Sequence, residues 1–266
     1  MSLTLQTFPT TDAASAALAA DTASRYLGGG TLVVRSANEG DVSFATFIRA
    51  TDPALTTISV DGNRVTLGAS VTMGRLIADD RVKCLAKAAH AVGGPAIRNM
   101  ATVGGNLYAP APYGDLGVAL LALDVSVDID GSLLPLAEFL TGRDTIHARS
   151  VLRSVSFDLP AEGALRFAKT ARVKPKGVSI VTIAAVLAES GGVIASARVA
   201  YGCMADRPMR ASAVEAALTG KARTPDGIAD ALAVAIEGTD PITDAIASAW
   251  YRAQVLPVHL GRLLLA

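Results

Sequence analysis

Residues 99–110, NMATVGGNLYAP, place the pair Gly104-Gly105 inside what otherwise reads as an apolar strand leading into a loop. Glycine leaves nothing to pack in a strand, so a doublet there marks the close approach of another backbone or of a ligand. A second glycine run, Gly28-Gly29-Gly30 followed by Thr31, comes directly after the short strand expected around RYL (residues 25–27). Successive backbone N–H groups without side chains can form an anion-binding concavity, to which a nearby Thr or Asn adds hydrogen bonds. Two such loops facing each other would hold a pyrophosphate from both sides. Neither matches the GxGxxG fingerprint or the GxxxxGK(S/T) phosphate loop, and each taken alone also reads as a tight turn.

Outward from these loops, the hydrophobic pattern sets the frame. Residues 11–24 carry Ala and Leu at helical spacing behind a Thr-Asp start. The stretch LTTISVDGNRVTLGASVT (residues 55–72) is two alternating runs joined by Asp61-Gly62-Asn63, a strong hairpin signal. Helices are expected over 73–79 and 81–93 and from Asp115, with a strand VSVDID turning at Gly131 and another over 150–158. Pro160 and Gly163 then mark a domain boundary. Beyond it RFAKTA, VSIVTIAAVLAES and VIASARVAYGCM alternate like three antiparallel strands, and helices at 210–220, 224–237 and 244–265 finish the chain. This predicts an α+β protein: two N-terminal α/β subdomains with mixed sheets, at 1–57 and 58–160, and a C-terminal domain at 161–266 of a three-stranded antiparallel sheet with helices.

The bulk numbers narrow the function classes. The 266 residues are 51% hydrophobic and 18% charged, which argues for a packed core and against disorder. Twenty-four basic residues balance 24 acidic ones without long blocks of either sign, so no nucleic-acid partner is expected. Cys84 and Cys203 lie far apart with no CxxC, so they form no iron–sulfur or zinc site by themselves and read as buried thiols. The first 20 residues lack the basic and apolar regions of a signal peptide, and the longest apolar run, Leu116–Leu123, is too short for a membrane span. A cytoplasmic location is the expectation. His90, His147 and His259 have no paired nucleophile and read as structural or surface residues, Arg98 reads as a loop-orienting or surface residue, and Trp250 and Tyr251 read as packing residues.

Four segments, YLGGGTLVVR, VTLGASVT, IRNMATVGGNL and GDLGVALLALDV, together resemble the flavin-binding medium subunit of the molybdenum hydroxylases. That family includes the xanthine dehydrogenases, carbon monoxide dehydrogenases and aldehyde oxidoreductases. ARVAYGCMADRPMRASAVEAALTG and DAIASAWYRAQVLPVHLGRLL resemble its C-terminal domain, so the resemblance spans nearly the whole chain. It implies bound FAD, with the FAD pyrophosphate as the group approaching the glycine pair; since neither glycine loop carries a Cys or His to form a flavin linkage, noncovalent binding is expected.

The resemblance assigns Leu27, Gly28, Gly29, Gly30, Thr31, Leu32 and Val33 to the first cofactor loop, and Thr102, Val103, Gly104, Gly105 and Asn106 to the second. Leu32 stands where the family usually has an acidic residue. Asp115 matches an acidic residue that hydrogen-bonds the ribityl or ring region, though as the N-cap of the following helix it would need no ligand. Lys169 matches a lysine near the pyrimidine end of the flavin, where a cation tunes the potential; the alternative is a solvated strand lysine. Arg172 also matches, but KPKG (174–177) replaces the acidic residue that usually follows. The implied partners are a large molybdopterin subunit and a small subunit with two [2Fe-2S] clusters, in a dimer of heterotrimers. Electrons would pass through FAD to NAD+, oxygen or another acceptor, so no acid–base triad is expected in this chain. The rival is a flavin-free structural or regulatory relative acting as a binding module.

Overall fold

The computed structural model describes residues 3–173 and 177–266. The chain opens with β1 (Thr4–Phe8), α1 (Thr11–Ala20), β2 (Ser24–Tyr26), α2 (Val33–Asn38) and β3 (Thr46–Ala50). These strands form a parallel sheet in the order β1-β3-β2. Parallel neighbours need crossovers, which α1 and the segment carrying α2 supply. The Thr10 side chain accepts from Ala13 N–H to start α1, and the helix stops at Ala20, short of the expected residue 24.

The middle of the chain carries β4 (Ile58–Asp61), β5 (Arg64–Gly68), α3 (Met73–Ala78), α4 (Ala86–Ala91), α5 (Pro95–Arg98), α6 (Val103–Leu107) and α7 (Asp115–Ala122). After it come β6 (Ser126–Ile129), β7 (Ser132–Pro135), α8 (Leu136–Gly142) and β8 (Leu152–Asp158). The five strands pair antiparallel in the order β4-β5-β8-β6-β7, with Asp61-Gly62-Asn63 at the β4–β5 turn as the sequence predicts. The mixing of strand senses therefore lies between sheets, one parallel and one antiparallel, and not within either. The stretch 81–93 is divided into a 3-10 turn (Asp80–Leu85) and α4, with non-helical backbone at Val82.

The last part holds β9 (Leu165–Ala171), β10 (Ser179–Ser190), β11 (Val193–Gly202), β12 (Met209–Arg210), α9 (Ser212–Leu218), α10 (Ala229–Ala233) and α11 (Ala249–Leu265). The three expected antiparallel strands are present, and the two-residue β12 adds a fourth beside β11. The helix expected over 224–237 contracts to α10. Trp250 and Tyr251 do not pack inside: they are 70% and 42% exposed on α11. Of the KPKG stretch, residues 174–176 lie outside the described residues.

All eight residues of α7 are buried. A helix apolar around its whole circumference must sit inside the protein, and each enclosed Leu contributes roughly 1.5–3 kcal/mol. It lies against α4 and α6 on one side and β10 and β11 on the other. That position brings Asp115, its first residue, into the joint between the middle and last parts of the chain.

Candidate functional site

A cleft of about 620 Å³ opens between the parallel sheet and the antiparallel sheet. Gly28 and Val33 line it from one side, Thr102, Gly104 and Gly105 from another. The two glycine loops thus meet at one cleft: a Cβ on Gly28 would stand 3.1 Å from the Thr102 hydroxyl oxygen. The volume lies in the range that holds a cofactor-sized ligand.

The first loop is built to leave donors free. Leu27 N–H donates to Ile48 carbonyl at 2.7 Å, which pins the end of β2 before the chain turns away. Among the described residues, none of the backbone N–H groups from Gly28 to Val33 donates to an atom of the chain. Gly29 is required by the scaffold, since a Cβ there would overlap the Met100 carbonyl. Leu32 precedes α2 and gives it no side-chain cap.

The second loop corrects the strand-to-loop expectation. Residues 103–107 are the short helix α6, and Thr102 caps it by accepting from Gly105 N–H at 3.1 Å. Its backbone donors are already spent: Val103 donates to Val71 carbonyl at 2.9 Å, Gly104 to Ala69 carbonyl at 2.8 Å, and Asn106 to Thr102 carbonyl at 2.9 Å. The glycine pair divides accordingly. A Cβ on Gly104 would press within 3.0 Å of Ala69 Cβ, so a neighbouring residue approaches there. Gly105 is exposed, and a Cβ on it would meet only Thr102 Oγ1, at 3.0 Å. Gly105 therefore leaves room in the cleft, while Gly104 serves packing. Asn106 is buried and accepts from Gly117 N–H at 3.0 Å, locking α6 to α7.

Asp115 and Lys169 stand together but do not line this cleft. Lys169 Nζ donates to Asp115 Oδ2 at 2.9 Å and to Ala91 carbonyl at 2.8 Å. Ser179 and Thr182 hydroxyls both donate to Asp115 Oδ1 at 2.6 Å. Lys169 is therefore not a solvated strand lysine, its side chain being 12% exposed. Nor is Asp115 the N-cap, a place taken by Gly114. Nearby, Arg98 donates to the carbonyls of His90 and Gly93, bracing the turn before α5.

Residues that the sequence did not flag complete the wall: Arg25, Tyr108, Arg143, Arg149 and Ser150. Three guanidinium groups against one carboxylate, Asp144, give the lining a cationic bias that suits a phosphate-bearing ligand. Arg143 is buried and donates to Leu107 and Ala109 carbonyls, while the Arg25 guanidinium lies 5.5 Å from the Phe44 ring centre. Cys203 is buried and Cys84 half-buried, both as free thiols. Among the described residues no group of His, Cys, Asp and Glu could hold a metal ion.

Fold and cleft together define a protein with a parallel and an antiparallel sheet around one cleft and an appended antiparallel domain. Residues 4–160 match the model of the FAD binding domain in molybdopterin dehydrogenase, and residues 166–266 match that of the CO dehydrogenase flavoprotein C-terminal domain. The chain belongs to this family of FAD-binding oxidoreductase subunits. It is 30% identical to the nicotinate dehydrogenase FAD-subunit of Eubacterium barkeri over 178 residues, 61% of this chain and 60% of that one. It is 25% identical to the glyceraldehyde dehydrogenase medium chain of Sulfolobus acidocaldarius over 205 residues, 74% and 73% of the two chains. Among solved structures, carbon monoxide dehydrogenase from Hydrogenophaga pseudoflava, in a form lacking the Mo-pyranopterin moiety, superposes with a TM-score of 0.91 at 24% identity. That match covers 99% of this chain and 96% of the other. Quinoline 2-oxidoreductase from Pseudomonas putida 86 gives 0.88 at 26% identity, covering 100% and 96%.

Proposed function

We propose that this chain is the FAD-carrying, electron-transferring subunit of a heterotrimeric molybdenum hydroxylase, working beside a large molybdopterin subunit and a small [2Fe-2S] subunit. The observation that carries the reading is the run of unspent N–H groups from Gly28 to Val33, whose two end residues line a cleft left open by Gly105. Consecutive donors of that kind suit a pyrophosphate, and the cationic lining adds to the attraction. In this reading Leu27 anchors the loop, and Gly28 to Val33 bind the pyrophosphate through backbone alone, so Leu32 needs no acidic side chain. Thr102 and Gly105 shape the opposite wall, while Val103, Gly104 and Asn106 hold that wall in place. Asp115 and Lys169 form a charge-balanced pair outside the cleft lining, whose field would act on the bound cofactor. Bound FAD would supply the exchange of electrons between the iron–sulfur partner and a final acceptor such as NAD+ or oxygen. The chain's own task is to hold and electrostatically tune it, in the cytoplasm and within a dimer of heterotrimers.

The test is direct. Purified protein should be yellow, and acid precipitation should leave one FAD per chain in the supernatant. Co-expression with neighbouring reading frames should recover molybdenum- and iron-containing subunits. Protein that stays colourless after incubation with FAD would instead favour the flavin-free binding module, the reading to which the spent donors of residues 103–106 lend weight.

A further inference from the structure

The α8–β8 connection, residues 143–150, contributes Arg143, Asp144, Ala148, Arg149 and Ser150 to the cleft lining and is tied down at three places. At its start Arg143 is fixed by the Leu107 and Ala109 carbonyls. At its end the Tyr108 hydroxyl donates into the carbonyls of His147 and Ser150, each at 3.0 Å. Both ties run to the chain just after α6, on the Gly105 side of the cleft. The third tie crosses to the other side. Arg149 donates to Leu18, Asp21 and Thr22 carbonyls and to Ser24 Oγ, at and beyond the end of α1.

This crossing contact is a charge placed at a helix end that lacks one. The last turn of α1 has no basic residue, so its terminal carbonyls have no local cation. A guanidinium satisfies such carbonyls and complements the negative end of the helix. Yet the seat is imperfect: Arg149 Nε is buried without a hydrogen-bond partner among the described residues. Closing the contact therefore leaves a donor unsatisfied that opening would return to water. Leu18, Thr22, Arg149 and Ser150 all line the cleft, so the contact bridges its two rims.

We propose that residues 143–150 are a strap over the cleft, latched by Arg149 to the C-terminal end of α1, and that the latch gates entry and exit of the dinucleotide. The gating role rests on the reading of the cleft as the FAD site; the latch itself rests on the contacts of Arg149 alone. A gate differs from a ligand contact in its kinetics. Losing a contact accelerates release only, whereas unlatching a strap accelerates release and entry together.

The experiment compares wild type, Arg149→Ala and Arg149→Lys in the full chain. Flavin fluorescence follows FAD association with apoprotein and FAD release on dilution. Arg149→Ala should raise both rates about tenfold, with Arg149→Lys between it and wild type. Faster release with unchanged association, or no change in either, overturns the gate. Hydrogen exchange on the apoprotein reads the latch without FAD: the amides of Asp21, Ser24, Ala148 and Ser150 should exchange faster in Arg149→Ala, while those of β10 stay as in wild type. Uniform acceleration, or none, overturns the latch. If Arg149→Ala does not fold, the same two readouts on Arg149→Lys decide. A wild type that binds no FAD while passing the exchange test would overturn the cleft reading and its gate but leave the latch standing.

Discussion

Lys169 Nζ and Asp115 Oδ2 lie 2.9 Å apart, joining β9 to the first residue of α7 with side chains 12% and 8% exposed. The second carboxylate oxygen accepts from both Ser179 and Thr182, so this buried charge is held by three donors. Removing one member of a buried pair strands the other, at a cost of about 3–5 kcal/mol. Asp115→Ala and Lys169→Met should each destabilise by that order in urea unfolding. The double variant should cost clearly less than the two single costs combined, because neither charge is then orphaned. Strict additivity would mean that the pair contributes nothing as a pair.

The same pair sets the direction of two redox changes, given FAD in the cleft. A cation nearby favours the reduced cofactor and an anion disfavours it, and at 2.9 Å each charge masks the other. Lys169→Met should lower the flavin midpoint potential and Asp115→Asn should raise it, both read by redox titration of the purified protein. No shift in either variant would place the pair outside the electrostatic reach of the ring.

Alkaline pH should weaken the fold through Cys203. Burial, and secondarily the Asp115 carboxylate, push its thiol from an ordinary 9.0 up to about 12. A raised folded value means that the native state keeps a proton which the unfolded chain gives up. That stabilisation is complete below pH 9.0 and is lost as pH climbs towards the folded value, at up to about 1.4 kcal/mol per pH unit for one group. Cys84 is raised by burial too, whereas Tyr108 and Tyr201 join only above their ordinary 10.0. Between pH 9.0 and 10.0, urea midpoints should therefore fall less steeply for Cys203→Ala than for wild type.

The parts legible in the sequence are those that local chemistry dictates. Asp61-Gly62-Asn63 between two alternating runs fixes a hairpin, and the alternation of 165–202 fixes β9 to β11. The parallel pairing of β1 and β2 onto β3 has no local signature, because Thr46 on β3 pairs with Thr4 on β1 and with Ser24 on β2, both far away along the chain. α6 read as a strand because five residues are too few to show a 3.6 period, and its branched Val103 favours a strand. Its one local sign was Thr102, an N-cap of the same kind as Thr10 and Thr72. The cleft-lining arginines were missed for a different reason. Arg143 and Arg149 act on carbonyls 34 to 131 positions away, and no spacing rule connects a guanidinium to a distant helix end.

The glycines separate packing from ligand space, and three substitutions test that division. Gly29→Ala would drive a Cβ into the backbone carbonyl of Met100, which cannot yield as a flexible side chain could, so the first loop must move. A destabilisation of about 1–3 kcal/mol with loss of FAD is expected. Gly104→Ala pushes on Ala69 and should lower stability while FAD binding largely survives, since the cleft wall keeps its outline. Gly105→Val is the converse: its branched side chain enters the cleft, displacing the cofactor with little change in the core. Some cost will come from the Thr102 cap, 3.0 Å from the new Cβ, and Thr102→Ala measures it separately at about 1 kcal/mol. FAD stoichiometry, circular dichroism and urea midpoints on the set distinguish the cases. If Gly105→Val kept full FAD at wild-type affinity while Gly104→Ala lost it, the assignment of the two glycines would be reversed.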